Sequence, residues 1–183
     1  MVILFLIQLG GIGVITFATF LAMFISERIG VSQRHVLQDI VSESDISAVS
    51  LALLRIVLFT VSFESIGAIF YYFSWAELIP ATGERIYFAV FHAISAFCNA
   101  GFSLFSNSLA DPTNALSWSV NINTMFLIIA GGLGFTTIWE IIQRVLPNGK
   151  LRGKRKFSLH AIITLRMTIG LVIGGALLIG LLE

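Results

Sequence analysis

Charge is scarce in this sequence. Only 11% of its 183 residues are Asp, Glu, Lys or Arg, against about 25% in a soluble domain, so water cannot be its only solvent. With a net charge of +1, no strong overall field draws it to nucleic acid or to acidic partners. A single cysteine, Cys98, excludes an internal disulfide. Zinc-ligand spacing, a Walker phosphate loop and a GxSxG elbow are all missing. Met1 to Ser26 holds no charged residue. It therefore lacks the basic start of a signal peptide and runs too long for one. It reads as a spanning helix, or as the end of one whose start is missing.

What the chain has is apolar length: 57% of its residues are hydrophobic. A bilayer core about 30 Å thick takes roughly 20 apolar residues of helix. Segments 1–25, 47–75, 118–144 and 159–182 meet that length. A further apolar stretch, Ile86 to Cys98, has only 13 residues, too short to span and suited to a re-entrant or buried helix. Of the 11 Lys and Arg, eight lie in the segments joining spans or at their edge: Arg28, Arg34, Arg144, Lys150, Arg152, Lys154, Arg155 and Lys156. Arg55 and Arg166 fall within spans, and only Arg85 lies between the second and third. The positive-inside rule then puts 146–158 in the cytoplasm and 76–117 outside. Two spans separate 146–158 from the linker 27–46, so that linker is cytoplasmic too, although its own charge is net acidic.

The sequence also repeats itself. Phe5-Leu-Ile-Gln-Leu-Gly-Gly-Ile-Gly13 matches Phe126-Leu-Ile-Ile-Ala-Gly-Gly-Leu-Gly134 at six of nine positions, offset by 121. Leu54-Arg55 returns as Leu165-Arg166, offset by 111. Spans one and three are thus equivalent, as are two and four. The repeating unit is helix, short apolar helix with loop, helix. Both copies run the same way, as in repeats related by an axis along the membrane normal. The fold class expected is an all-α integral membrane protein of repeated helix, short helix with loop, helix units. In this reading, 1–26 is the last helix of a first repeat and 27–46 a linker. Residues 47–145 form a complete second repeat: helix 47–75, short helix 85–97, loop 98–103 and helix 118–144. Residues 146–158 are a basic linker, and 159–183 open a third repeat.

The chemistry concentrates after the short helix. A helix that enters from outside points the negative end of its dipole at the membrane middle, where it favours a cation. The chain then turns back through Cys98, Asn99, Ala100, Gly101 and Phe102. Irregular backbone at that depth survives only inside protein or along a water-filled cavity. A row of carbonyls there can replace the hydration shell of an alkali cation, and Gly101 supplies the dihedrals such a row needs. Spacing alone leaves a plain outer loop with an apolar base equally open.

Ser95-Ala-Phe-Cys-Asn-Ala-Gly-Phe-Ser103 resembles the second filter loop of the Trk/Ktr/HKT potassium transporters. Gln8-Leu-Gly-Gly-Ile-Gly-Val-Ile-Thr-Phe17 is similar to the second membrane helix of their first repeat, and Gly131-Gly-Leu-Gly-Phe-Thr-Thr137 to its counterpart in repeat two. Glu64-Ser-Ile-Gly67 tilts the likeness toward the bacterial Ktr branch. The resemblance runs through the whole chain in order. It implies membrane helix, pore loop, membrane helix units similar to those of K+ channels, four of them around a central K+ pathway, with 85–97 as the pore helix and 98–103 as the one filter loop on this chain, K+ being held by the carbonyls of residues 98–102. It implies K+ uptake across the plasma membrane, with Na+ assistance left open, and no cofactor on this chain. Expected partners are membrane lipid, a second copy of the protein and a cytosolic nucleotide-binding regulatory subunit, but not nucleic acid. A membrane-embedded enzyme and a non-conducting scaffold are the rival classes. The first would need catalytic polar residues around one cavity, and Glu64, His92 and Glu140 are scattered.

The remaining polar and glycine positions each have a plain and a sharper reading. Arg55 and Arg166 snorkel to the interface or meet a neighbouring helix. Glu64 follows Arg55 by nine residues, the opposite face at about 100° per residue, so the two do not pair. It makes a structural hydrogen bond or tunes the outer pore. His92, on the pore helix with Ser95, is a buried neutral imidazole bonded to a neighbouring helix, or a pH sensor. Gly10, Gly11, Gly13, Gly131, Gly132 and Gly134 permit close helix approach or a hinge. The run Lys150, Arg152, Lys154, Arg155 and Lys156 sets topology and meets anionic lipid, or docks the cytosolic subunit.

Overall fold

A computed structural model describes residues 2–11, 46–146 and 157–182. Gly13, nearly all of the linker 27–46 and the basic run from Lys150 to Lys156 lie outside the described residues, as does most of the first expected span.

Every regular element among the described residues is helical. The elements are α1 (Val2–Gly11), α2 (Ile46–Ser74), α3 (Thr82–Phe97), the single turn α4 (Pro112–Ala115), α5 (Trp118–Val145) and α6 (Leu159–Leu182). Three stretches, Leu54–Ser74, Trp118–Val145 and Leu159–Leu182, are long and apolar enough to cross a membrane. Helix α3, with 16 residues, reaches only about 24 Å at 1.5 Å per residue. It starts three residues before the position read from its apolar pattern. Hydrophobicity marks the buried part of a helix, whereas its first turn here is polar: Glu84 complements the dipole there, and Arg85 N–H already donates to Ala81 O at 2.9 Å.

Helices α2 and α5 run antiparallel. Their seam is drawn together by Asn123 Nδ2 donating to Gly67 O at 3.0 Å, by Tyr71 Oη and Thr124 Oγ1 at 2.6 Å, and by the hydroxyls of Ser74 and Ser119. Gly67 makes the close approach possible: a Cβ there would lie 2.6 Å from Leu127 Cδ1. Helix α3 packs against both. Its Ala89, Ala93 and Phe97 join Tyr71, Trp75, Val120, Leu127 and Ala130 in one core. At the far end of α5, Glu140 accepts from Ser158 N–H at 2.9 Å and from its hydroxyl at 2.6 Å. Ser158 in turn caps α6 by accepting from Ala161 N–H at 3.2 Å.

Around this apolar core, burial departs from that of a soluble protein. Thr60, Glu64, His92, Ser95, Asn114, Asn123 and Thr137 are buried, while Phe70, Phe73, Ile122, Leu171, Leu177 and Leu181 are exposed. Lipid offers no hydrogen bonds, so polar groups turn inward and apolar ones outward.

Helix α5 is two helical halves joined at Gly134, whose φ of 72° and ψ of 164° are not helical. That region of backbone space belongs to glycine. Gly134→Ala is therefore expected to destabilise the fold by about 1–3 kcal/mol. The thermal midpoint of detergent-solubilised protein measures this, and an unchanged midpoint would mean that α5 straightens at no cost.

Candidate functional site

Helix α3 ends level with the middle of α2 and α5. Cys98 lies against Gly11 of α1 and shares a cavity of about 100 Å³ with Thr60, Gly131 and Gly134. Thr60 and Gly131 are each near the middle of their helices, α2 and α5. The loop that follows thus turns at the level where both helices are half-way along their length. The end of α3 and this loop are buttressed by α5, where a Cβ on Gly131 would collide with Phe97 O.

The helix stops in a Schellman arrangement. Asn99 takes a left-handed conformation, φ 53°. Its N–H donates to Ala96 O at 3.1 Å, and Ala100 N–H to Ser95 O at 2.9 Å. Asparagine tolerates that conformation better than most residues do. Its side chain also ties the turn to α5: Nδ2 donates to Phe97 O and to Ile128 O, both at 3.4 Å. Gly101 is left-handed as well, φ 73°, and a Cβ there would meet nothing within 4 Å.

The return arm is fixed from behind. Ser95 Oγ donates to Phe102 O at 2.7 Å. His92 Nδ1 pairs with Phe88 O at 2.8 Å, and Nε2 with Ser103 Oγ at 3.0 Å. Leu104 N–H points at the same Nε2, 3.4 Å away. His92 was expected to bond a neighbouring helix; it bonds its own helix and the return arm instead, because the chain folds back along α3. Aromatic rings close around it, Trp75 at 5.0 Å and Phe105 at 5.1 Å between centroids. A cavity of about 210 Å³ lies beside this network, lined by Tyr71, His92, Ser95, Asn99 and Thr124 among others.

These bonds leave a pattern in the backbone. The carbonyl of Phe102 is engaged by Ser95. Among the described residues, no donor reaches the carbonyls of Cys98, Asn99, Ala100 or Gly101. Asn99, Gly101 and Phe102 are exposed on the open side of the unit. Four successive carbonyls that meet no donor among the described residues can serve as oxygen ligands for a cation.

Glu64 makes a structural hydrogen bond. Its carboxylate, 7% exposed, accepts from Gln8 Nε2 at 3.0 Å and lies 3.9 Å from Cys98 Sγ. It links α1, α2 and the start of the loop. Arg55 and Arg166 are exposed. Of the glycines, Gly11 and Gly131 make close contacts, Gly134 breaks α5, and Gly10 and Gly132 face open space. Sequence reasoning missed Gln8, Asn123 and the cap role of Asn99. Only the last had a readable signal, an asparagine just past a predicted helix end. Among the described residues, no cluster of His, Cys, Asp and Glu could hold a metal ion.

Fold and site together define a multi-pass membrane protein whose unit is a short helix and loop held between two long apolar helices. The sequence profile of the TrkH family, described as cation transport protein, matches residues 2–183, and the chain belongs to that family. It is 35% identical over 174 residues to the Ktr system potassium uptake protein B of Bacillus subtilis, covering 92% of this chain and 36% of that protein. It is 35% identical over 179 residues to the potassium/sodium uptake protein NtpJ of Enterococcus hirae, covering 96% of this chain and 37% of that one. Against the Ktr system potassium uptake protein B of Vibrio alginolyticus, identity is 31% over 180 residues, with 97% and 37% covered. The chain spans little more than a third of the length of these relatives. The family is one of cation transporters, which sets aside the membrane-embedded enzyme.

Proposed function

We propose that this chain supplies one quarter of a K+ filter, in a protein that takes up K+ across the plasma membrane. The observation that carries this reading is the run of carbonyls from Cys98 to Gly101 that meet no donor among the described residues, turned by Asn99 and Gly101 at the middle of α2 and α5. The relatives named for potassium uptake support K+ as the cargo, and the one named for potassium and sodium keeps Na+ as a second or assisting ion. The full-length protein, reconstituted in proteoliposomes, is expected to carry K+ down an imposed gradient and to be stimulated, or left unaffected, by Na+. Absence of K+ flux from correctly folded protein would favour a non-conducting scaffold.

The same reading orients the chain. Residues 150–156 face the cytosol and 104–116 face outside, because Lys and Arg gather in the former. Their run docks a cytosolic nucleotide-binding subunit, and a second copy of the protein and lipid cover apolar faces such as that of α6. In a Cys98→Ser background, Arg152→Cys is expected to react with a membrane-impermeant thiol reagent only from the cytosolic side, and Asn107→Cys only from outside. Labelling of position 152 from outside would invert the topology.

A further inference from the structure

We infer that His92 and Ser95 are positioning residues for ion selection, holding the return arm so that the carbonyls around Gly101 keep one register; this rests on the filter reading above. Ser95 grips the loop twice. Its backbone oxygen takes Ala100 N–H at 2.9 Å, and its hydroxyl donates to Phe102 O at 2.7 Å. Gly101, the residue between, is left as the free apex. One turn earlier on the same face of α3, His92 grips the next two residues, Ser103 at 3.0 Å and Leu104 at 3.4 Å.

The hydrogen bonds fix the direction of every proton in the second grip. Leu104 N–H can only donate, so Nε2 accepts and carries no proton. The neutral ring then has its proton on Nδ1, which donates to Phe88 O. Phe105 N–H donates to Ser103 Oγ at 3.1 Å, so the Ser103 hydroxyl is free to donate to Nε2. The result is a one-way chain from Phe105 through Ser103 and His92 to Phe88. His92 and Ser95 are each 3% exposed, and Trp75 and Phe105 hem in the imidazole. Loss of either grip frees the arm to let the carbonyls collapse toward a smaller ion. Fixed carbonyl positions discriminate between cations that differ in size, and mobile ones do so less.

The test is the ratio of K+ to Na+ uptake by the full-length protein, per folded molecule in the membrane. Ser95→Ala is expected to lower the ratio about fivefold, equivalent to about 1 kcal/mol, with Ser95→Thr restoring it. His92→Leu should lower it similarly, while His92→Gln, which keeps an acceptor near the Nε2 position, should retain most of it. Ser103→Ala provides a milder cut of the same chain should the α3 variants fail to fold. Gly101→Ser reports on the filter reading independently. If Gly101→Ser lowers the ratio while Ser95→Ala and Ser103→Ala leave it unchanged, the grips are merely structural and the inference is overturned. If none of the three moves it, the filter reading falls with the inference.

Discussion

Gly101→Ser is expected to lower the ratio of K+ to Na+ uptake about tenfold, at normal abundance in the membrane. Gly101 sits at φ 73°, where an L side chain costs about 1–2 kcal/mol. Nothing lies within 4 Å of where its Cβ would be, so no packing is lost and the whole effect comes from backbone strain. The loop relieves that strain by rotating the peptide toward ordinary φ, which turns the carbonyls on either side away from the proposed ion path. A shift of about 1.4 kcal/mol between two cations is tenfold in their ratio. Ala110→Ser is the control: Ala110 is exposed in the turn Ser108–Ala110 beyond the return arm and should leave the ratio unchanged. Parallel tracer uptake of K+ and Na+ reads both variants. An unaltered ratio for Gly101→Ser would remove residues 98–102 from the ion path.

The elements of this fold were legible because membrane helices advertise themselves by length. Segments of 47–75, 118–144 and 159–182 could be read from apolar runs alone, and the short stretch before Cys98 stood out because it could not span. The break in α5 was not legible. Gly131, Gly132 and Gly134 are alike to any sequence rule, and each could be a contact, a hinge or neither. Tertiary contacts divide them: Phe97 O lies against Gly131, Gly132 faces open space, and Gly134 takes the non-helical turn. The polar ties had the same problem. Glu64 could be flagged as a buried acid, but Gln8 is 56 residues away in the chain. Asn123 reaches Gly67 across the same separation. For the loop, Gly101 was readable as a site of positive φ. The grip of Ser95 on Phe102 O depends on the chain folding back along α3, which no local pattern encodes.

The three α5 glycines give the sharpest contrast for experiment. Gly131→Ala is expected to abolish most of the folded protein, while Gly132→Ala, one residue on, is expected to be neutral or slightly stabilising. At Gly131 the added Cβ would run into the backbone oxygen of Phe97. A flexible side chain could swing aside, but this carbonyl is the last of α3 and accepts from Asn99 Nδ2. Relief requires α3 or α5 to move as a body, with loss of the core contacts of Phe97 and Ala130. Overpacking of that kind costs about 1–3 kcal/mol and occasionally more, and every 1.4 kcal/mol is about a tenfold loss in the folded ratio. At Gly132 nothing lies within 4 Å, and alanine is about 1 kcal/mol better than glycine inside a helix. Yield of monodisperse protein in detergent and its thermal midpoint separate the two. Phe97 is also the last helical residue before the loop, so whatever Gly131→Ala protein survives should show a reduced K+ to Na+ ratio, as Gly101→Ser does by a different route. A wild-type midpoint and ratio for Gly131→Ala would mean that the close seat of α3 on α5 does not set the position of the loop.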